Sequence, residues 1–65
     1  MPYNSNTDLP KNIADILPEH AQDIFRTAFN NAHEEYGNEK QAFKVAWGAV
    51  ERQYKKDKDG QWVQK

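Results

Sequence analysis

The chain has 65 residues, no cysteine, 9 Lys and Arg against 10 Asp and Glu, and a formal net charge of −1. That length admits one domain of modest stability, because so short a chain buries only about 60% of the surface its unfolded form exposes. The composition leaves out a disulfide framework and a thiolate metal site, holds no apolar run near the roughly 20 residues of a membrane span, and is a poor basis for tight nucleic-acid binding, which draws on phosphate neutralisation.

The small net charge conceals an asymmetry. Residues 1–39 hold two basic residues, Lys11 and Arg26, against seven acidic ones, whereas residues 40–65 hold seven basic against three acidic. The simplest reading is two helices whose opposite charges flank their contact; the other is a charged docking surface. The opening Met-Pro-Tyr-Asn-Ser-Asn has neither a basic n-region nor an apolar h-region, so the expectation is a soluble, cytoplasmic protein.

Residues 1–8 are polar apart from Tyr3 and fray unless Tyr3 packs. Leu9-Pro10 and Leu17-Pro18 each precede a helical pattern. Proline suits a helix start because its missing N–H would be unpaired there anyway, and it pushes the preceding residue toward extended geometry. A short first helix is therefore predicted from about Pro10 to Ile16, with Ile13, Ile16 and Leu17 as its apolar contacts. The second helix, from about Pro18 to Tyr36, is one-sided: Ala21, Ile24, Phe25, Ala28, Phe29, Ala32 and Tyr36 fall within an arc of about 140°. Gly37 follows as a left-handed C-cap. Asn38 then caps a third helix, with Gln41 in capping-box position. So short a connection makes the two long helices an antiparallel hairpin.

The third helix, Asn38 to Tyr54, has an apolar arc of roughly 200°, wider than a one-sided surface helix needs. It should meet two partners: the second helix on its alanine side, at Ala42, Ala46 and Ala49, and the first helix with the Trp62 tail on its aromatic side, at Phe43, Trp47 and Tyr54. Asp59-Gly60 marks a turn in the tail. A three-residue loop, Lys58-Asp59-Gly60, pairs Trp62 with Lys56 and puts Tyr54 and Trp62 on one face, which is preferable because the core gains Trp62. Pairing of residues 61–63 with Pro2-Tyr3 is the alternative. The fold class is thus mostly α: a compact three-helix domain over residues 1–65, with a long antiparallel helical hairpin, a short N-terminal helix and a very small β element from the tail.

No catalytic motif emerges. His20 and His33 stand about 220° apart on one helix and cannot share an ion. Ser5 has no nucleophile-activating pattern around it. Asp57-Lys58-Asp59-Gly60 resembles part of a calcium loop, but its twelfth position falls beyond the chain's end. Glu34, Glu35 and Glu39 lack the apolar burial that would raise a pKa. The tail is the exception, since Arg52, Lys55, Lys56, Lys58 and Lys65 surround Tyr54 and Trp62. Such a mixture binds phosphate backbones while stacking bases, unless the aromatics belong to the core and the lysines only protect a hairpin edge.

The order MPY, DLP, LPEHAQDIF, AFNNA, KVAWGAV and then Tyr54 and Trp62 resembles the ChaB family of small bacterial proteins, named for cation transport regulation. The resemblance spans nearly the whole chain and rests on Pro10, Leu17, Pro18, Ala21, Ile24, Phe29, Ala46, Trp47, Tyr54 and Trp62, which are core or helix-start positions. It implies a non-enzymatic protein that binds another protein and regulates sodium or calcium/proton transport, with a membrane cation antiporter as partner, engaged at its cytoplasmic face. It implies no cofactor, no metal, no catalytic residue and no small-molecule substrate, and the expected state is a monomer. The enteric member of the family has a longer, highly charged connection between the second and third helices, reduced here to Gly37-Asn38-Glu39. The binding residues expected are Arg52, Lys55, Lys56 and Lys58, and the alternative function is nucleic-acid association through the same four.

Overall fold

The computed structural model describes residues 3–65. A 3-10 turn, Asn6–Asp8, leads to a short helix α1, Lys11–Ala14; two long helices follow, α2, Glu19–Tyr36, and α3, Glu39–Gln53; strands β1, Tyr54–Lys56, and β2, Trp62–Gln64, close the chain. The architecture is that expected, mostly helical with one small antiparallel sheet.

Each helix boundary has a local cause. Pro10 and Pro18 sit at the N-caps of α1 and α2 in extended geometry. Helix α1 is shorter than predicted because a single turn cannot sustain itself; beyond Ala14 the backbone continues as turns, with the Ile16 and Leu17 amides both donating to the Ile13 carbonyl. The corner into α2 is tied by Gln22, whose Nε2 donates to the carbonyls of Ala14 at 3.0 Å and Leu17 at 2.8 Å. Gly37 ends α2 at φ +65°, in the left-handed region. Asn38 Oδ1 then accepts from the Gln41 amide at 3.2 Å and starts α3.

The buried core runs along the α2–α3 crossing: Leu9, Ile13, Leu17, Ala21, Phe25, Phe29, Ala32, Ala42, Ala46, Val50 and Tyr54. Small alanines on both helices let the backbones approach, and aromatic rings fill the space to one side. Phe25 meets Phe43 and Trp47 with ring centroids 6.0 and 5.1 Å apart, and Phe29 meets Phe43 at 4.9 Å.

That packing corrects the expected division of α3 into two faces. Phe43 and Trp47 pack on α2, not on the first helix, because Phe25 and Phe29 interdigitate with them. Helix α1 packs on α2, and only Trp47 also meets the tail, stacking on Trp62 at 5.6 Å. Two apolar positions placed at contacts are exposed as well, Ile16 at 48% and Tyr36 at 54%, and so is Val45 on α3, at 36%. Ile16 leaves the core because α1 has already unwound there. Tyr36 is the last residue of α2, and α3 buries no residue before Ala42. Val45 lies at the margin of an apolar arc narrower than the sequence suggests.

The β element has the preferred register: Tyr54 opposite Gln64, Lys55 opposite Val63 and Lys56 opposite Trp62. Gly60 takes φ +82° in the turn, and Asp57 Oδ1 accepts from the amides of Asp59 and Gln61, both at 2.9 Å. The alternative pairing with the N-terminus does not form at Tyr3, and Pro2 lies outside the described residues. Tyr3 is held elsewhere. Its amide donates to Asn30 Oδ1 and its carbonyl accepts from Asn30 Nδ2, each at 2.8 Å, and its ring lies 4.8 Å from Phe29. Asn30 is ten residues along α2 from His20, the contact of Tyr54, or about 15 Å. The N-terminal segment is thus fixed to α2 at Tyr3, away from the sheet.

Candidate interaction surface

The sheet is attached to the helices through its aromatic residues. Tyr54 is buried, and its hydroxyl lies 3.0 Å from His20 Nδ1. His20 is exposed and is also the polar partner of this core tyrosine. Across the strands, Tyr54, Lys56, Trp62 and Gln64 share one face, so Trp62 enters the margin of the core against Trp47. Lys56 Nζ stands 5.8 Å from the Trp62 ring centroid, within cation–π range.

Arg52, Lys55, Lys56 and Lys58 are all exposed, and none forms an ion pair with another described residue. They are not one cluster. Lys55 and Lys56 line a shallow cleft of about 300 Å³ with Glu51, Tyr54, Trp62 and Lys65; Arg52, on the last turn of α3, and Lys58, at the tip of the turn, lie outside its lining. Lys65 is the cation that the short expected site omitted, although the basic tail included it. A second cleft, of about 430 Å³, runs between residues 15–18 and residues 60–62. Sequence reasoning missed this one, because the segments are some 45 residues apart and neither has a period that points at the other.

The acidic half of the chain is organised by hydrogen bonds. Asn6 Nδ2 donates to Asp23 Oδ1 at 2.7 Å, Arg26 Nε donates to Asn6 Oδ1 at 2.8 Å, and Arg26 approaches Asp23 at 3.7 Å. These contacts occupy the polar face of α2 near its start and engage Arg26, whereas none of the hairpin's cations forms an ion pair among the described residues. Among the described residues no group of three or more His, Cys, Asp or Glu is placed to hold a metal ion. His33 stacks on Phe29 at 5.8 Å. No helix among those residues is long and apolar enough to cross a membrane.

The fold and sequence match known proteins over almost the full chain. The ChaB family model matches residues 9–65. The protein named "Putative cation transport regulator ChaB" of Escherichia coli K12 is 41% identical over 75 aligned positions, covering 100% of this chain and 99% of that protein; its namesake in Shigella flexneri matches to the same extent. The solution structure titled "NMR solution structure of the putative cation transport regulator ChaB" superposes with a TM-score of 0.88 at 40% identity, covering 98% of this chain and 99% of that one. The alignments run over 75 positions against 65 residues here, so those relatives carry residues that this chain lacks.

Proposed function

We propose, since this chain belongs to the ChaB family, that it regulates cation transport without catalysis, as a cytoplasmic monomer of one ChaB-like domain that docks on the cytoplasmic face of a sodium or calcium/proton antiporter. The observation that carries this reading is the hairpin end of the molecule. There Lys55 and Lys56 stand exposed beside a half-buried tryptophan, with Arg52 on the last turn of α3 and Lys58 at the tip of the turn also exposed, and none of the four forms an ion pair among the described residues. Unpaired exposed cations contribute little to a fold, but they steer encounter with an acidic surface and fix its orientation. In the conspicuous KVAWGAV stretch Ala46 and Val50 are buried and Trp47 packs on Phe25 and Trp62, so it holds the hairpin in place and leaves recognition to the basic tail.

Supporting this over a nucleic-acid role, Trp62 is already stacked on Trp47 and has Lys56 over its ring, which leaves little aromatic face for a base. The test is co-purification of the tagged chain with the antiporter from membranes, combined with antiport rates in cells lacking the chain. Recovery of the antiporter and an altered rate support the reading. Antiport unchanged on deletion contradicts it, and salt-dependent DNA or RNA binding that weakens when the four cations become glutamate would favour the nucleic-acid role instead.

A further inference from the structure

We infer that the outer edge of β2 is a strand-addition site for an extended acidic segment of a partner protein, which deepens the docking reading above and rests on it. The register is the starting point. Asp57 N–H donates to the Gln61 carbonyl at 2.8 Å and Lys65 N–H to the Gln53 carbonyl at 2.9 Å, with Lys55 opposite Val63 between them. In an antiparallel pair the bonded and non-bonded residue pairs alternate. The bonds between the strands therefore fall at 53/65, 55/63 and 57/61, and the backbone N–H and C=O groups of Trp62 and Gln64 point away from β1. No described residue takes them. The other edge is partly closed, because the Tyr54 amide donates to the Val50 carbonyl at the end of α3.

Natural edges are usually blunted by charge on the edge strand itself, yet Gln61, Trp62, Val63 and Gln64 carry none. The second cleft, walled by Asp15, Ile16, Leu17 and Pro18, reaches the start of β2 at Trp62. A strand laid along β2 turns alternate side chains to one side, and the exposed Ile16 offers an apolar contact to one of them. Trp62 lines both clefts, and its indole N–H is buried with no acceptor among the described residues, so a guest that shifts the ring would change its surroundings. Charge selects the occupant. Lys55, Lys56, Lys58 and Lys65 form no ion pair among the described residues, while the Asp57 carboxylate is engaged within the turn. The remaining acids, Asp15 in the second cleft, Glu51 in the first and Asp59 in the turn beside Lys58, set the acidic side chains of the guest toward Lys55, Lys56 and Lys65 and its apolar side chain toward Ile16. A second copy of this chain would instead bring the lysines of two hairpins together.

The probe is a capped eight-residue peptide alternating glutamate and valine, titrated into the isotope-labelled full chain at low salt. The expected result is slowed exchange of the Trp62 and Gln64 amides, a shift of the Trp62 indole proton, and binding about tenfold weaker when the peptide's pairing amides are N-methylated, as the loss of one or two hydrogen bonds implies. Gln64→Pro, which removes an outward N–H and leaves the bonds to β1 in place, should weaken binding to a similar degree, whereas Gln64→Ala should bind as the native chain does. Equal binding of the N-methylated peptide, no protection at Trp62 and Gln64, or self-association of the chain protecting those same amides would each overturn the inference. Peptide failure with antiporter co-purification intact removes the edge site alone. Peptide binding with antiport independent of the chain removes the transport reading alone.

Discussion

Phe25→Leu probes the packing that holds the hairpin in position. Phe25 is fully buried and touches Phe29, Phe43 and Trp47, so it joins the two long helices at their crossing. The substitution removes three carbons from a site with no solvent access, and at about 0.8 kcal/mol per buried carbon the loss is about 2 kcal/mol. A chain of this length has a total stability of about 3–10 kcal/mol, so one substitution takes a large share of it. At about 4–8 °C per kcal/mol for a small domain, the midpoint of thermal unfolding should fall by about 8–16 °C. Urea unfolding followed by far-UV circular dichroism, with Tyr36→Leu as control, measures the effect. Tyr36 is 54% exposed and should cost under about 0.5 kcal/mol. A Phe25→Leu loss no larger than that of the control would refute the assignment of Phe25 to the centre of the core, and with it the rotational setting of α2.

The remaining predictions concern the connection, the N-terminal clip and pH. Gly37→Ala should destabilise by about 1 kcal/mol although no atom lies within 4 Å of the added carbon, because its φ of +65° is unfavourable for an L side chain; a stabilised variant in urea would contradict this. Asn30→Ala should cost about 1–3 kcal/mol, since it removes both hydrogen bonds to the Tyr3 backbone, and hydrogen exchange at Tyr3 should rise with it. Burial, and then the Glu39 carboxylate, push the Tyr3 phenol above its usual 10.0. A phenol whose folded pKa exceeds its unfolded value contributes its stability in full below that unfolded value and loses it as pH rises through the folded one. Stability should therefore decline above about pH 10, less steeply in Tyr3→Phe, and equal slopes in the two proteins would remove Tyr3 as the cause.

Where a physical constraint is local or periodic, the chain could be read directly. The one-sided arc of α2 identifies Ala21, Phe25, Phe29 and Ala32 as buried, and Gly37-Asn38 marks the reversal because glycine is favoured at a left-handed C-cap and asparagine at an N-cap. The hairpin register follows from burying Trp62 with Tyr54. What could not be read depends on contacts between segments. The periodicity of α3 shows which residues are apolar but not that Phe43 and Trp47 would interlock with Phe25. The exposure of Ile16 depends on where α1 unwinds. The Tyr3–Asn30 clip joins a backbone to a side chain 27 residues away, and such pairing leaves no pattern in either segment. At the candidate site, the basic residues were visible as a run, but their division between a cleft shared by Lys55 and Lys56 and the outlying Arg52 and Lys58 depends on the strand geometry.

The most direct measurement is cation-driven proton exchange in everted membrane vesicles carrying the antiporter, with the purified chain added to the exposed cytoplasmic face. The account predicts a dose-dependent change in antiport rate. It also predicts that this change disappears for the chain with Arg52, Lys55, Lys56 and Lys58 all replaced by glutamate, whose circular dichroism should remain native because all four positions are exposed. An antiport rate that is the same with the native chain, the charge-reversed chain and no chain would contradict it.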